Sequence, residues 1–208
     1  MILVHHLNDS RSQRILWLLE ELGTAYDIRH HARDTATRLA PPSLEAVHPL
    51  GKAPVVEMDG GILFESGAII EILIRRLGGG RLAPPADHPD HDRYIMWLHY
   101  AEGSAMLPLM LMLYTQRLGE AAEPLKPRID SEVARHLGFV DRSLAGRAFL
   151  VGDELTGADI QMSFVAEVAG AFGLRESYPA MAGWLARLHA RPAWQRALER
   201  GGAYGLAG

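Results

Sequence analysis

The stretch "HPLGKAPVVEMDGGILFESGAIIEILIRRLGGG", His48 to Gly80, decides the fold of the N-terminal half. Its runs "APVVEM" and "GILFE" are short and apolar, and the "DGG" between them is a hairpin signal, because Asp-Gly pairs accept the positive φ of a tight two-residue turn. "SGAIIEILIRRL" then carries apolar residues at helical spacing and stops at three glycines, so two strands lead directly into a helix. Upstream, Met1–His6 reads as a buried strand. Ile15, Leu16, Leu18, Leu19 and Leu22 recur at helical spacing from Ser10 onward, and Gly23 supplies a left-handed stop. "AYDIRHHAR" reads as a weaker second strand, and 34–47 is broken by Pro41 and Pro42. The order β-α-β, irregular segment, β-β-α within roughly 80 residues suits a small α/β domain.

Beyond the turn-rich "GGGRLAPPADHPDHD" the strand signals stop. "RYIMWLHYAEGSAMLPLMLMLY", "PRIDSEVARHLGFVDRSLAG", "TGADIQMSFVAEVAGAFG" and "YPAMAGWLARLHARPAWQRALER" all carry helical periodicity, which predicts an all-helical second domain of four to six helices. The expected division is a first domain over 1–79, a linker over 80–91 and a helical domain over 92–208. The tail "GGAYGLAG" is expected to be poorly ordered or to lie over the surface.

With 208 residues, 48% of them apolar, the chain can bury a large core, and its net charge of −4 with scattered Lys and Arg gives no footprint for nucleic acid or an anionic membrane. It has no cysteine, which excludes disulfides, thiolate metal sites and a cysteine nucleophile, so any thiol chemistry must use a thiol brought by a ligand. The apolar N-terminal run is too short for a signal-peptide core, and no window approaches the roughly 18 apolar residues of a membrane span. A cytoplasmic protein is expected. His88 and His91, in an Asp- and Pro-containing linker without a third defined ligand, read as a solvated segment rather than a metal site.

Three local features go further. In "GKAPVV" a proline enters a strand, and X-Pro is the bond type that readily goes cis; a cis Ala53-Pro54 would turn the Val55 backbone toward a ligand, while a trans proline at an edge-strand start is the plainer alternative. In "FESGAIIEIL", Ser66 is the expected N-cap, and the free N–H groups of that first turn would make a carboxylate nest beside Glu65, which could pair with an ammonium. Together they could read both ends of an α-amino acid, against the alternative of plain capping with a solvated Glu65. In "LTGADIQMSF", Thr156 and Asp159 fit a capping box, with Leu155 and Ile160 as a hydrophobic staple, and should start a buried central helix.

In order, "DSRSQRILWLLEELG", "HPLGKAPVV", "FESGAIIEIL", "WLHYAEGS" and "LTGADI" resemble a cytosolic glutathione S-transferase over essentially the whole chain. The first and fourth segments look most like a fungal and bacterial serine-type branch whose first helix begins S-R-x-x-R-x-x-W-L-L. The resemblance implies an α/β thioredoxin-like N-terminal domain that binds glutathione, an all-α helical C-terminal domain carrying the electrophile pocket, and a cytoplasmic homodimer acting in detoxification. It also implies that Pro54 is cis, that Val55 pairs its backbone with the peptide part of glutathione, that Glu65 and Ser66 hold the γ-glutamyl end, and that Lys52 meets the glycyl carboxylate. His48 stands where the family commonly has asparagine. Glutathione is the co-substrate, no metal is expected, and the partner substrate is a hydrophobic electrophile.

A cysteine-type thiol has a pKa near ~8.5, and lowering it by two units requires nearly ~3 kcal/mol of preference for the thiolate. One hydrogen bond to a charged group contributes roughly 1.5–3 kcal/mol, so a single hydroxyl at the start of the first helix could suffice, acting as donor rather than base. The chain has no tyrosine near His5 or His6, where the family's tyrosine-type enzymes carry their phenol. Ser10 is the candidate donor, four residues before Arg14; Ser12 is the alternative, and backbone N–H groups, Asn8 or the tandem His5-His6 stay open. Ser10-x-x-Gln13 also fits a capping box. In "YAEGSAMLPLMLMLY", Tyr100 and Met106 are expected to line the electrophile pocket. A glutathione-dependent peroxidase or disulfide reductase, and a non-catalytic glutathione-binding interaction protein of the same fold, are the alternative functions.

Overall fold

The computed structural model describes residues 1–206; of the tail expected to be poorly ordered, the last two residues lie outside the described ones. Packing divides the described residues into one unit of residues 1–83 together with 188–206, and a second unit, Pro84–Arg187.

The first unit runs β1 (Ile2–Leu7), α1 (Gln13–Leu22), β2 (Asp27–His31), α2 (Pro42–Glu45), β3 (Val55–Met58), β4 (Gly61–Leu63) and α3 (Ser66–Leu77). Its sheet has the order β2-β1-β3-β4, with β1 and β2 parallel and the two remaining pairs antiparallel. The "DGG" signal becomes a turn with φ of 53° at Asp59 and 78° at Gly60, which joins β3 to β4. Helix α1 is enclosed along most of its length, with Ile15, Leu16, Leu18 and Leu19 fully buried, and it ends at Gly23 in the left-handed region. Val4, Val56, Ile69 and Leu73 complete the core.

The C-terminal helix belongs to this first unit rather than to a helical domain running to residue 208. We label it α9 (Pro192–Gly201). Trp194 packs edge-to-face on Trp17 at 5.3 Å. Arg191 clamps Glu21 through two hydrogen bonds of 2.6 and 2.9 Å, and Arg196 and Arg200 reach Glu20 at 2.8 and 3.0 Å. The Arg200 guanidinium also stacks 3.7 Å from the Tyr26 ring centroid. The periodicity of α9 resembles that of its helical neighbours, so only these long-range contacts reveal its allegiance.

The second unit is all-helical: α4 (His91–Tyr100), a π-helical turn (Ala101–Ala105), α5 (Met106–Thr115), a 3-10 segment (Gln116–Ala122), α6 (Lys126–Leu144), α7 (Gly157–Ala171) and most of α8 (Pro179–His189). Helix α7 is central, with Ile160, Met162, Val165 and Ala166 almost wholly enclosed. It begins as expected, at a capping box in which the Asp159 carboxylate accepts the Thr156 N–H at 3.0 Å. The same carboxylate accepts the Leu150 N–H at 2.9 Å and the Trp184 indole N–H at 3.0 Å, tying the helix start to a preceding loop and to α8. Among the described residues, no helix is long and apolar enough to cross a membrane.

Candidate functional site

The start of α1 is built from a closed set of hydrogen bonds. Ser12 is the residue before the helix, is 0% exposed, and its hydroxyl accepts the Leu7 N–H at 3.1 Å. That oxygen also lies 2.8 Å from Ser10 Oγ and 2.9 Å from His6 Nδ1. Ser10, 6% exposed, accepts the Ser12 N–H on its hydroxyl at 3.2 Å. The expected Ser10-x-x-Gln13 capping box does not form: the Gln13 N–H goes to the Ser10 carbonyl at 3.2 Å, and the Ser10 hydroxyl is taken up by Ser12. Ser12 is the inner partner of Ser10.

The other donor candidates are engaged on their own. His5 lies on the opposite face of β1, with Nε2 donating to the Glu57 carboxylate at 2.8 Å and Nδ1 3.0 Å from His31 Nε2. Asn8 accepts the Arg33 N–H at 3.0 Å on its side-chain oxygen. Burial, followed by the neighbouring His30, pushes the His6 ring down to about 4, so it is neutral near pH 7. A hydrogen bond with the Gly201 backbone and the carboxylate of Asp9 pull the other way without prevailing. The Asp9 carboxyl is itself held below its usual value: burial opposes this, but the Gly205 N–H and Arg38 prevail.

At α3 the helix begins one residue before the sequence reading places it. Glu65, not Ser66, is the residue preceding the first turn, and its φ of 65° and ψ of 112° put a non-glycine residue in a costly region. Ser66 is therefore the first helical residue. Its buried hydroxyl accepts from Arg14 Nη2 at 3.0 Å instead of capping the helix. Arg14, on α1 and itself buried, brings a positive charge to the N-terminus of α3, where the helix dipole already favours an anion. The sequence reading used Arg14 only for its spacing from Ser10. A lone arginine inside an otherwise apolar helical stripe was the available signal that it is held inside for a charge partner.

Ala53-Pro54 is cis, as the resemblance implied. Val55 does not turn its backbone outward. The turn at Asp59-Gly60 makes Met58 and Gly61 the hydrogen-bonded pair of the hairpin, and alternation along β3 then directs the backbone of Glu57 and Val55 to β1, where Val55 opposes His5. Ala53, half-buried and ahead of the strand, is the backbone adjoining the cis bond that lies outside the ladder. Lys52 is exposed beside it.

The second unit holds an apolar hollow of about 810 Å³ whose wall includes Met96, Trp97, Tyr100, Gly103 and Phe139. Tyr100 is thus on a cavity wall. Its hydroxyl hydrogen-bonds with His136 Nδ1 at 2.7 Å, and burial pushes the phenol up to about 12. Met106 is 2% exposed and does not line this hollow, because the π-helical turn after Tyr100 resets the helical phase and rotates it into the core.

A four-stranded mixed sheet with a cis-proline ahead of β3 and an anion-ready α3 N-terminus, in a chain that also carries a helical unit, defines a protein of thioredoxin-like fold built to hold a small anionic ligand. Comparison makes this specific. Residues 1–75 match the glutathione S-transferase N-terminal domain, and residues 100–192 match the glutathione S-transferase C-terminal domain. Glutathione S-transferase 3 of Schizosaccharomyces pombe is 32% identical, over 96% of this chain and 88% of its own. A glutathione S-transferase structure from Actinobacillus pleuropneumoniae superposes with a TM-score of 0.90 at 33% identity, covering 100% of this chain and 96% of its own. A glutathione transferase family member from Pseudomonas fluorescens, solved with two glutathione bound, gives 0.79 at 27% identity over 95% and 92%. The chain belongs to the glutathione S-transferase family and is a glutathione transferase.

Proposed function

We propose that this transferase binds glutathione on its first unit and lowers the thiol pKa through the Ser10 hydroxyl, so that the thiolate attacks a hydrophobic electrophile. The observation that carries the binding half is the buried Arg14–Ser66 pair at the N-terminus of α3, 3.0 Å apart. A guanidinium, a hydroxyl and the amides of the first turn suit the α-carboxylate of the γ-glutamyl group, and Glu65 alongside suits its ammonium. The backbone at Ala53 is assigned to the peptide part of the ligand in place of Val55, and Lys52 to the glycyl carboxylate. Ser10 is preferred over Ser12 because Ser12 has no exposed surface with which to touch a ligand.

The hollow around Tyr100 has two claimants. As an electrophile pocket it offers Tyr100 and Trp97; as an interface it offers Met96, 62% exposed, and Phe139, 45% exposed. Exposure of two large apolar side chains on one rim favours a second copy of the chain, and the proposed assembly is a homodimer covering this face.

The test is a glutathione titration followed by thiolate absorbance across pH, in the natural protein and in Ser10→Ala and Ser66→Ala. Ser66→Ala should weaken binding with the thiol pKa of the complex unchanged. Ser10→Ala should return that pKa toward the free value with binding nearly intact. Failure to bind glutathione would remove the whole reading; a lowered pKa that survives Ser10→Ala would remove Ser10. Aryl halides, hydroperoxides and disulfides, assayed side by side, separate transferase from peroxidase or reductase activity.

A further inference from the structure

The turn that leads into Ser10 is held from behind by two arginines that sequence spacing did not single out. Asp9, the residue before Ser10, has a φ of 51°, in the left-handed region where the Cβ of a non-glycine residue crowds the following carbonyl. Such a residue persists where its surroundings over-determine it. Half-buried Arg33, just past β2, supplies most of that constraint: its Nε donates to the Asn8 carbonyl at 2.9 Å and its Nη2 to the Asp9 carbonyl at 3.2 Å. Those carbonyls belong to the peptide groups on either side of the Asp9 Cα, so one planar fork fixes both φ and ψ of that residue. The Arg33 backbone N–H adds a third tie, to the Asn8 side-chain oxygen at 3.0 Å.

Arg38 acts on the Asp9 side chain instead. Its Nη2 donates to one carboxylate oxygen at 2.7 Å, and the other oxygen accepts the Gly205 N–H at 2.7 Å. The two arginines arrive together because 34–39 closes on itself. The Asp34 N–H meets the Leu39 carbonyl at 3.0 Å, the Arg38 N–H meets the Asp34 carbonyl at 2.9 Å, and the Asp34 carboxylate accepts the Thr37 N–H at 2.7 Å. Arg33 Nη1 then donates to the Arg38 carbonyl at 2.9 Å. Among the described residues the Arg33 fork meets three carbonyls and no carboxylate within hydrogen-bond reach, so its part is orientation rather than ion pairing.

We propose that Arg33 is a positioning residue for thiol activation: by fixing the peptide groups on both sides of Asp9, its guanidinium sets where Ser10 meets the sulfur of bound glutathione. The proposal rests on the reading that places the thiol at Ser10. Arg33→Lys tests the fork while keeping the charge, since an ammonium offers one nitrogen on a flexible stem. The readout is thiolate absorbance of bound glutathione across pH, with affinity taken from the same titration. The thiol pKa of the complex should rise by about one unit, which leaves about tenfold less thiolate at a fixed pH below it, while affinity stays within about twofold. In a Ser10→Ala background the same change should shift the pKa no further. Asp9→Gly and Asp9→Ala lose the same side-chain contacts with Arg38 and Gly205 but differ in the ease of a φ of 51°, so Asp9→Ala should lose severalfold more thiolate. An unchanged thiol pKa in Arg33→Lys, an equal shift with and without Ser10, or equal thiolate in the two Asp9 variants overturns the role of Arg33. A Ser10→Ala protein with the natural thiol pKa instead overturns the donor assignment, so the two failures are distinguishable.

Discussion

Replacing Asp159 by alanine should cost more stability than any other single change to a charged residue of the helical unit. The carboxylate satisfies four donors: the Thr156 N–H and hydroxyl, the Leu150 N–H and the Trp184 indole N–H. The Thr156 hydroxyl can turn elsewhere, but the Leu150 and Trp184 donors are buried and would be left without an acceptor, at about 1–3 kcal/mol each. Loss of the reciprocal half of the capping box adds about 1 kcal/mol. The total, about 3–7 kcal/mol, is a large part of the 5–15 kcal/mol by which such domains are typically stable. Urea unfolding at pH 7, followed by tryptophan fluorescence and far-ultraviolet circular dichroism, reads this as a midpoint lowered by about 1 M or more for a slope of about 1–3 kcal/mol/M. Asp159→Asn should fall between the two, because its oxygen can still serve Leu150 and Trp184 while its amide faces the Thr156 donors. An Asp159→Ala protein within about 1 kcal/mol of the natural one would refute the reasoning, since no buried donor could then have been orphaned.

Ser66→Ala should raise the KM for glutathione about tenfold, the equivalent of one charge-assisted hydrogen bond of about 1.4 kcal/mol, with kcat nearly unchanged in steady-state assays. Because the folded pKa of His6 lies below its ordinary 6.5, at about 4, the unfolded chain binds the extra proton first; stability is fully present above about pH 6.5 and falls as pH drops toward 4, by roughly 3 kcal/mol. Urea titrations at pH 5 and 7 should therefore show a shallower pH slope in His6→Phe. Arg191→Ala breaks the two-pronged contact with Glu21 and should lower stability by about 1–3 kcal/mol in thermal melts. Met96→Glu should convert a dimer into a monomer in sedimentation equilibrium, and an unchanged mass would return the hollow to the electrophile.

What was legible in the sequence is what local chemistry determines. Gly23 and the end of α3 at Leu77 could be read from spacing and stop signals because a helix end depends on a few adjacent residues. The Thr156–Asp159 box was legible for the same reason, although its ties to Leu150 and Trp184 were not. The site itself was half legible. Ser10, Ser12, Glu65 and Ser66 stand at the two helix starts where they were sought, but the contact of Ser12 with His6 and that of Ser66 with Arg14, fifty-two positions away, were not legible. Val55 was misread because the direction of its backbone follows from strand register, which the hairpin turn sets several residues downstream. The burial of Met106 away from the hollow beside Tyr100 was not legible because a π-helical turn is invisible to a period of 3.6.

The clamp of α9 on α1 bears on how the molecule is made. Trp17, Glu20 and Glu21 leave the ribosome well before Trp194, Arg191, Arg196 and Arg200, with the helical unit translated in between. The first unit cannot close its surface until nearly the whole helical unit has been translated. Until then an indole and two carboxylates of α1 wait uncovered, and contacts of such long sequence separation slow the final folding step. A fragment ending at residue 83 would carry the whole four-stranded sheet and still lack one wall of its own core.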